Sequence, residues 1–129
     1  MGRWNLDILY TGFDTPEFLG DMESLGELVK DFEDFADGAD KLNTKELLLG
    51  FIKNNEALSN VISKLAIYAN LRYSADTRDS DAASMLGRIM ASASALAAPS
   101  AKLNNLIFIQ ITSFKNSFHN VIFCCLFDF

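Results

Sequence analysis

The chain has 129 residues, half of them hydrophobic, which is one ordinary domain with enough apolar mass for a core, so disorder is excluded as the default state. Its formal net charge is −6, and between Asp7 and Asp40 eleven acids stand against Lys30 alone. That surface repels a phosphate backbone, so nucleic acid is not an expected partner.

The opening MGRWNLDILY has no apolar run of signal-peptide length, and a cytoplasmic protein is the simplest expectation. Gly2 does not begin a myristoylation motif, because Leu6 stands where Ser or Thr is required. Cys124 and Cys125 are adjacent, a spacing that suits neither a mutual disulfide nor a C-x-x-C metal site.

Apolar residues recur at helical spacing throughout, which predicts an all-α fold, a bundle of about four to five helices. The first helix opens in FDTPEF, where Asp14 or Thr15 can cap free N–H groups and Pro16 suits the first turn. Phe18, Met22, Leu25, Val29, Phe32 and Ala36 then form one stripe, and Gly38 and Asp40 end it. A second start lies in NTKE, a capping box of Asn43 and Glu46, with Leu47, Leu48, Phe51 and Ile52 expected toward the core. Asn54-Asn55 predicts a break or kink, after which Leu58, Val61, Ile62, Leu65, Ala66, Tyr68 and Ala69 carry a third helix to Tyr73. A fourth helix is capped by Asp79 or Ser80, with Met85, Leu86, Ile89, Met90, Ala93, Leu96 and Ala97 as its apolar stripe, until Pro99 kinks or finishes it.

Chemistry is sparse. A zinc peptidase helix needs H-E-x-x-H, so that metal ligands and base share one face, and this chain has a single histidine, His119, best read as an incidental polar residue. Asp76, Asp79 and Asp81 lack the spacing of a calcium loop and read as helix capping. Ser74, Ser80 and Ser84 have no histidine nearby, and nothing marks Lys64 or Lys102 as a nucleophile. Tyr68 and Tyr73 fit core packing better than a ligand surface. No catalytic, metal or cofactor-binding residue is therefore assigned.

Two stretches nevertheless carry a likeness. WNLDILYTGFDTPEF, and LAIYANLRYSADTRDSDAASMLGRI with Tyr68, Leu71, Asp76, Thr77 and Asp79, resemble in order and separation the amino-terminal region of the oligoendopeptidase F family of thimet-oligopeptidase-like zinc metallopeptidases. The resemblance covers about residues 3 to 105. It implies a truncated amino-terminal helical domain over residues 1–105, of the kind that overhangs a deep cleft admitting unfolded oligopeptides. It also implies that zinc, the H-E-x-x-H helix and oligopeptide hydrolysis belong to a catalytic half with no counterpart here. The alternative is a stand-alone acidic helical protein-binding module.

Residues 106–129, LIFIQITSFKNSFHNVIFCCLFDF, depart from that pattern as a Phe/Ile-rich tail. Its polar middle, Gln110 to Asn120, argues against a membrane anchor. Its apolar steps allow a core helix, and an exposed tail of this composition would promote self-association. The Phe, Ile and Asn bias is what a shifted reading frame through T- and A-rich DNA would give, so truncation or frameshift near Leu106 is the expected origin.

Overall fold

The computed structural model describes the backbone of residues 6–127 and the side chains of residues 6–113 and Lys115. Among the described residues the fold is all-α: α1 (Pro16–Gly38), a 3-10 turn (Ala39–Lys41), α2 (Thr44–Ala75), α3 (Ser80–Ala95) and α4 (Ala97–Phe127).

The capping signals act as read. Thr15 is the N-cap of α1, its hydroxyl accepting from the Phe18 N–H, with Pro16 as first helical residue. At α2 the capping box is complete: Asn43 Oδ1 accepts from the Glu46 N–H at 2.9 Å and Glu46 Oε2 from the Asn43 N–H at 3.4 Å. Asp79 caps α3 by accepting from the Ala82 N–H at 2.9 Å. Each cap satisfies donors that the first helical turn would otherwise leave without partners.

The expected break at Asn54-Asn55 is absent, and α2 runs straight through. Asparagine disfavours helix interiors because its amide competes for backbone groups. Here the competition is harmless: Asn54 Nδ2 donates to the Gly50 carbonyl and Asn55 Nδ2 to the Phe51 carbonyl, one turn back on the same helix. The expected second and third helices are therefore one, about 48 Å long at the standard rise.

Pro99 acts as anticipated, by a slightly different route. It offers no N–H to the Ala95 carbonyl, and the ladder is interrupted at Leu96, which stays right-handed helical at φ −74°, ψ −13°. Pro99 itself sits in the first turn of α4. Since Leu96 barely departs from helix, α3 and α4 form one interrupted rod, and the architecture is three rods.

Pairings across the rods give their directions. Asp21 meets Lys64, while Phe35 lies against Gly50, so α1 and α2 are antiparallel. Arg72 meets Asp79 and Gln110 meets Leu42, so the α3–α4 rod is antiparallel to α2 as well. Between the rods lie Phe18, Leu25, Phe32, Ala36, Leu47, Leu58, Leu65, Tyr68, Ala69, Ile89 and Leu103, all buried. Ile52 and Met90, expected in the core, are 58% and 62% exposed. Ile52 stands about 140° around α2 from the buried Leu47, beyond the stripe that the other rods cover, and Met90 is displaced about 100° from the buried Ile89.

The composition change at Leu106 does not interrupt α4, and Leu106 and Ile107 pack against the core. Gln110 Nε2 then donates to the Leu42 carbonyl at 3.1 Å, just ahead of α2. Beyond it the described side chains Ile111, Thr112, Ser113 and Lys115 are all exposed. A chain ended after Ser113 should match the full chain in thermal stability. One ended after Asn105 should lose about 2–4 kcal/mol, because it forfeits Leu106, Ile107 and the Gln110 hydrogen bond. Equal urea midpoints for the two shortened chains would contradict this packing of α4.

Candidate functional site

The densest constellation of polar and aromatic groups is where the segment before α1 crosses α2. Residues 6–10 form a turn, with the Leu9 and Tyr10 N–H groups donating to the Leu6 carbonyl. It directs Tyr10 inward, where 3% of the residue stays exposed. Tyr10, Phe13 and Phe18 then surround Tyr68. Tyr10 and Phe13 each meet Tyr68 edge-on with ring centroids 5.2 Å apart, and each meets Phe18 at 5.1 Å. Edge-to-face contact sets a positive ring edge on a negative face and adds about 0.5–1.5 kcal/mol per pair to the burial of the rings.

Two ionic clusters close over this nest. On one side Tyr10 Oη donates to Asp21 Oδ2 at 2.5 Å, Lys64 Nζ donates to the same oxygen at 2.7 Å, and the ammonium lies 4.4 Å from the centre of the Tyr10 ring. On the other, Arg72 donates to Asp79 Oδ2 at 3.1 Å and to Tyr68 Oη at 3.2 Å, with its guanidinium 5.1 Å from the Phe13 ring centre. Both cations cover aromatic faces while holding a carboxylate, so the aromatic nest is clamped by charge at two edges.

The titration behaviour follows from these contacts. Burial and the hydrogen bond to Asp21 push the Tyr10 phenol well above its ordinary value. The hydrogen bonds from Lys64 and then Tyr10 hold the Asp21 carboxyl below the usual range, against the opposing effect of burial. Asp79 is also lowered, first by the Ala82 N–H and then, with burial opposing, by Arg72. All three shifts favour the protonation states present at neutral pH.

The structure brings together one part of what the sequence singled out. Tyr68 is core, 1% exposed, while Tyr73 is half-buried. Asp79 caps a helix, Asp76 accepts from the Arg78 backbone and side chain, and Asp81 is exposed in the first turn of α3. Ser74, Ser80 and Ser84 are exposed and scattered. Lys64 belongs to the clamp, whereas Lys102 is at the other end of the bundle, 3.3 Å from Asp37 and 3.9 Å from Asp40. The His119 side chain lies outside the described residues. Among those described, no three His, Cys, Asp or Glu side chains form a group that could hold a metal.

Residue types alone did not reveal Tyr10 and Phe13 as core, nor Asp21 as partner of Lys64. The available signal was the pair of aromatics shortly before the Thr15 cap, since apolar residues ahead of an N-cap often fold back on the helix they introduce.

A second concavity, an open groove of about 330 Å³, lies between α1 and the α3–α4 junction. It is lined by the apolar Ala36, Ala95, Ala98 and Pro99 and by the charged Glu33, Asp37 and Lys102. No helix among the described residues is long and apolar enough to cross a membrane. No protein family, curated protein or solved structure matches this chain.

The clamp makes a pH prediction with two limbs. Asp21 has a lowered folded pKa, so its contribution is present above the unfolded value near about 4 and is lost as acid titrates the folded carboxyl. Tyr10 has a raised one, so its contribution is complete below about 10 and fades in stronger base. Thermal midpoints should therefore hold a plateau between those values. Asp21→Asn should cost about 1 kcal/mol at pH 7 and flatten the acid limb; an acid limb parallel to that of the native chain would count against the clamp.

Proposed function

We propose that this chain is the amino-terminal helical portion of an oligoendopeptidase-F-like zinc metallopeptidase of the cytoplasm, inactive alone, that shapes one wall of a cleft for oligopeptides. The observation that carries the reading is the meeting of the two stretches on which the resemblance rests. Tyr10, Phe13 and Phe18 of the first enclose Tyr68 of the second, and Arg72, between Tyr68 and Asp79 in that second stretch, locks the turn into α3. One physical task, fastening the amino-terminal segment across the α2–α3 corner, thus explains why both stretches stand in this order and at this separation.

Zinc and the attacking water belong, on this reading, to a catalytic half. The 129 residues hold one histidine and so no H-E-x-x-H, and the described side chains offer no donor set for the metal. No chemical step is assigned to this chain. Its contribution is geometric, and the groove between α1 and the α3–α4 junction is the concave surface it offers to an extended peptide.

A stand-alone binding module is the second reading, favoured by the exposed acids Glu23, Glu27, Asp31 and Asp34 along α1, which would attract a basic partner. Purified chain with zinc should leave a quenched fluorescent oligopeptide intact. Mixing it with the zinc-bearing carboxy-terminal half of an oligoendopeptidase F should give a complex and chelator-sensitive cleavage. Failure of the halves to associate would overturn the fragment reading in favour of the module, and chelator-sensitive cleavage by the chain alone would overturn both.

A further inference from the structure

The groove between α1 and the α3–α4 junction carries charge of the wrong sign for a helix end. α1 closes at Gly38 with no basic residue in its last turn, although the carbonyls there form the negative end of the helix dipole and favour cations. Glu33 and Asp37 stand one turn apart near that end instead, a like-charge spacing that costs stability. Asp40 follows in the 3-10 turn. Against these three carboxylates stands one cation, Lys102, 3.3 Å from Asp37 and 3.9 Å from Asp40. Three negative charges less one positive leave a net two, and Glu33 has no hydrogen bond or ion pair among the described residues.

The apolar lining sets the shape of what can answer this charge. Ala36, Ala95, Ala98 and Pro99 are small, and between α1 and the α3–α4 rod an open space of about 330 Å³ remains. That is near the lower end of the range for small-ligand sites, and it suits one side chain with its backbone rather than a folded surface. Pro99 has no N–H for the Ala95 carbonyl, so the junction also holds a backbone acceptor without its usual helical donor. A fitting ligand therefore brings donors, positive charge and an apolar stem. A bare metal ion would leave the apolar lining unused and would face the Lys102 ammonium.

We propose that this groove takes the arginine side chain of an extended peptide, with the guanidinium between Glu33 and Asp37 and the methylenes against Ala95, Ala98 and Pro99. Charge complementarity selects a cation, and the lining selects one on an apolar stem. Arginine fits better than lysine because its planar fork carries five donors and spans two acceptors, whereas an ammonium is a single, strongly hydrated point charge. A bound guanidinium also offsets the repulsion between Glu33 and Asp37, so a pair that destabilises the free helix becomes favourable when the groove is filled. The inference rests on the reading of this groove as a peptide surface, but it needs no catalytic half.

The test is an NMR titration of the full chain at low salt with glycine-flanked pentapeptides whose central residue is arginine, lysine or citrulline, the neutral isostere of arginine. The arginine peptide should move the amide resonances of Ala36, Ala95 and Ala98, and should bind about fivefold or more tightly than the citrulline peptide and more tightly than the lysine peptide. Glu33→Gln should weaken it about fivefold, yet raise the thermal midpoint by about 1–2 °C, because a like-charge pair is removed. Ala98→Phe keeps every charge but fills the groove, and should abolish binding. Glu23→Gln with Glu27→Gln, which removes more charge from α1 away from the groove, should change the affinity by less than about twofold. Equal affinity for the citrulline or lysine peptide overturns the inference, as does an equal loss in the Glu23 and Glu27 variant or undiminished binding by Ala98→Phe. Because the chain is titrated alone, failure to bind arginine would leave association with a catalytic half standing, and failed association would leave arginine binding standing.

Discussion

Tyr68 must be covered. It lies in the last third of a helix about 48 Å long, and α1 begins only at Pro16, so the ring would be open to water at the end of the α1–α2 groove without the segment that precedes α1. Tyr10 and Phe13 supply the cover. Once they are seated, Tyr10 Oη is directed at Asp21 and the Phe13 face receives Arg72, so burial and hydrogen bonding require the same chain path. A segment with little helical structure of its own becomes part of the core, and α1, α2 and the start of α3 are joined through one group of rings.

Cation placement turns this contact into a clamp. Surface ion pairs such as Lys64–Asp21 contribute little by themselves, since water competes for both partners. Here the same ammonium lies over a ring, and the carboxylate it holds also accepts from a buried phenol. Arg72 likewise links Asp79, Tyr68 and Phe13. Groups sharing partners in this way restrict one another, which favours one arrangement of the corner over its alternatives.

Much of the fold was legible because its signals are local. Thr15, Pro16, the Asn43–Glu46 box and Asp79 act within one turn, and the stripe from Phe18 to Ala36 is fixed by helical period. The expected break at Asn54-Asn55 fails because a local tendency was weighed without the flanking apolar stripe, which holds the helix together while the amides bond the preceding turn. Asp21 with Lys64, 43 residues apart, and Tyr10 with Tyr68 depend on how rods are laid together, which periodicity does not encode. For the same reason the candidate site emerged as a clamp and a groove rather than a set of catalytic side chains: the sequence marked the two stretches, while only the fold gave them a common place.

The central claim is that the segment before α1 and helix α2 are energetically one unit at this ring contact. A double-mutant cycle of Phe13→Leu and Tyr68→Leu, read by urea unfolding, tests it most directly, because it isolates the mutual term from the burial of each ring. The account predicts a coupling of about 0.5–1.5 kcal/mol. Losses that add within about 0.3 kcal/mol would mean that the two rings are buried independently, and the clamp would not be what joins the amino-terminal segment to the bundle.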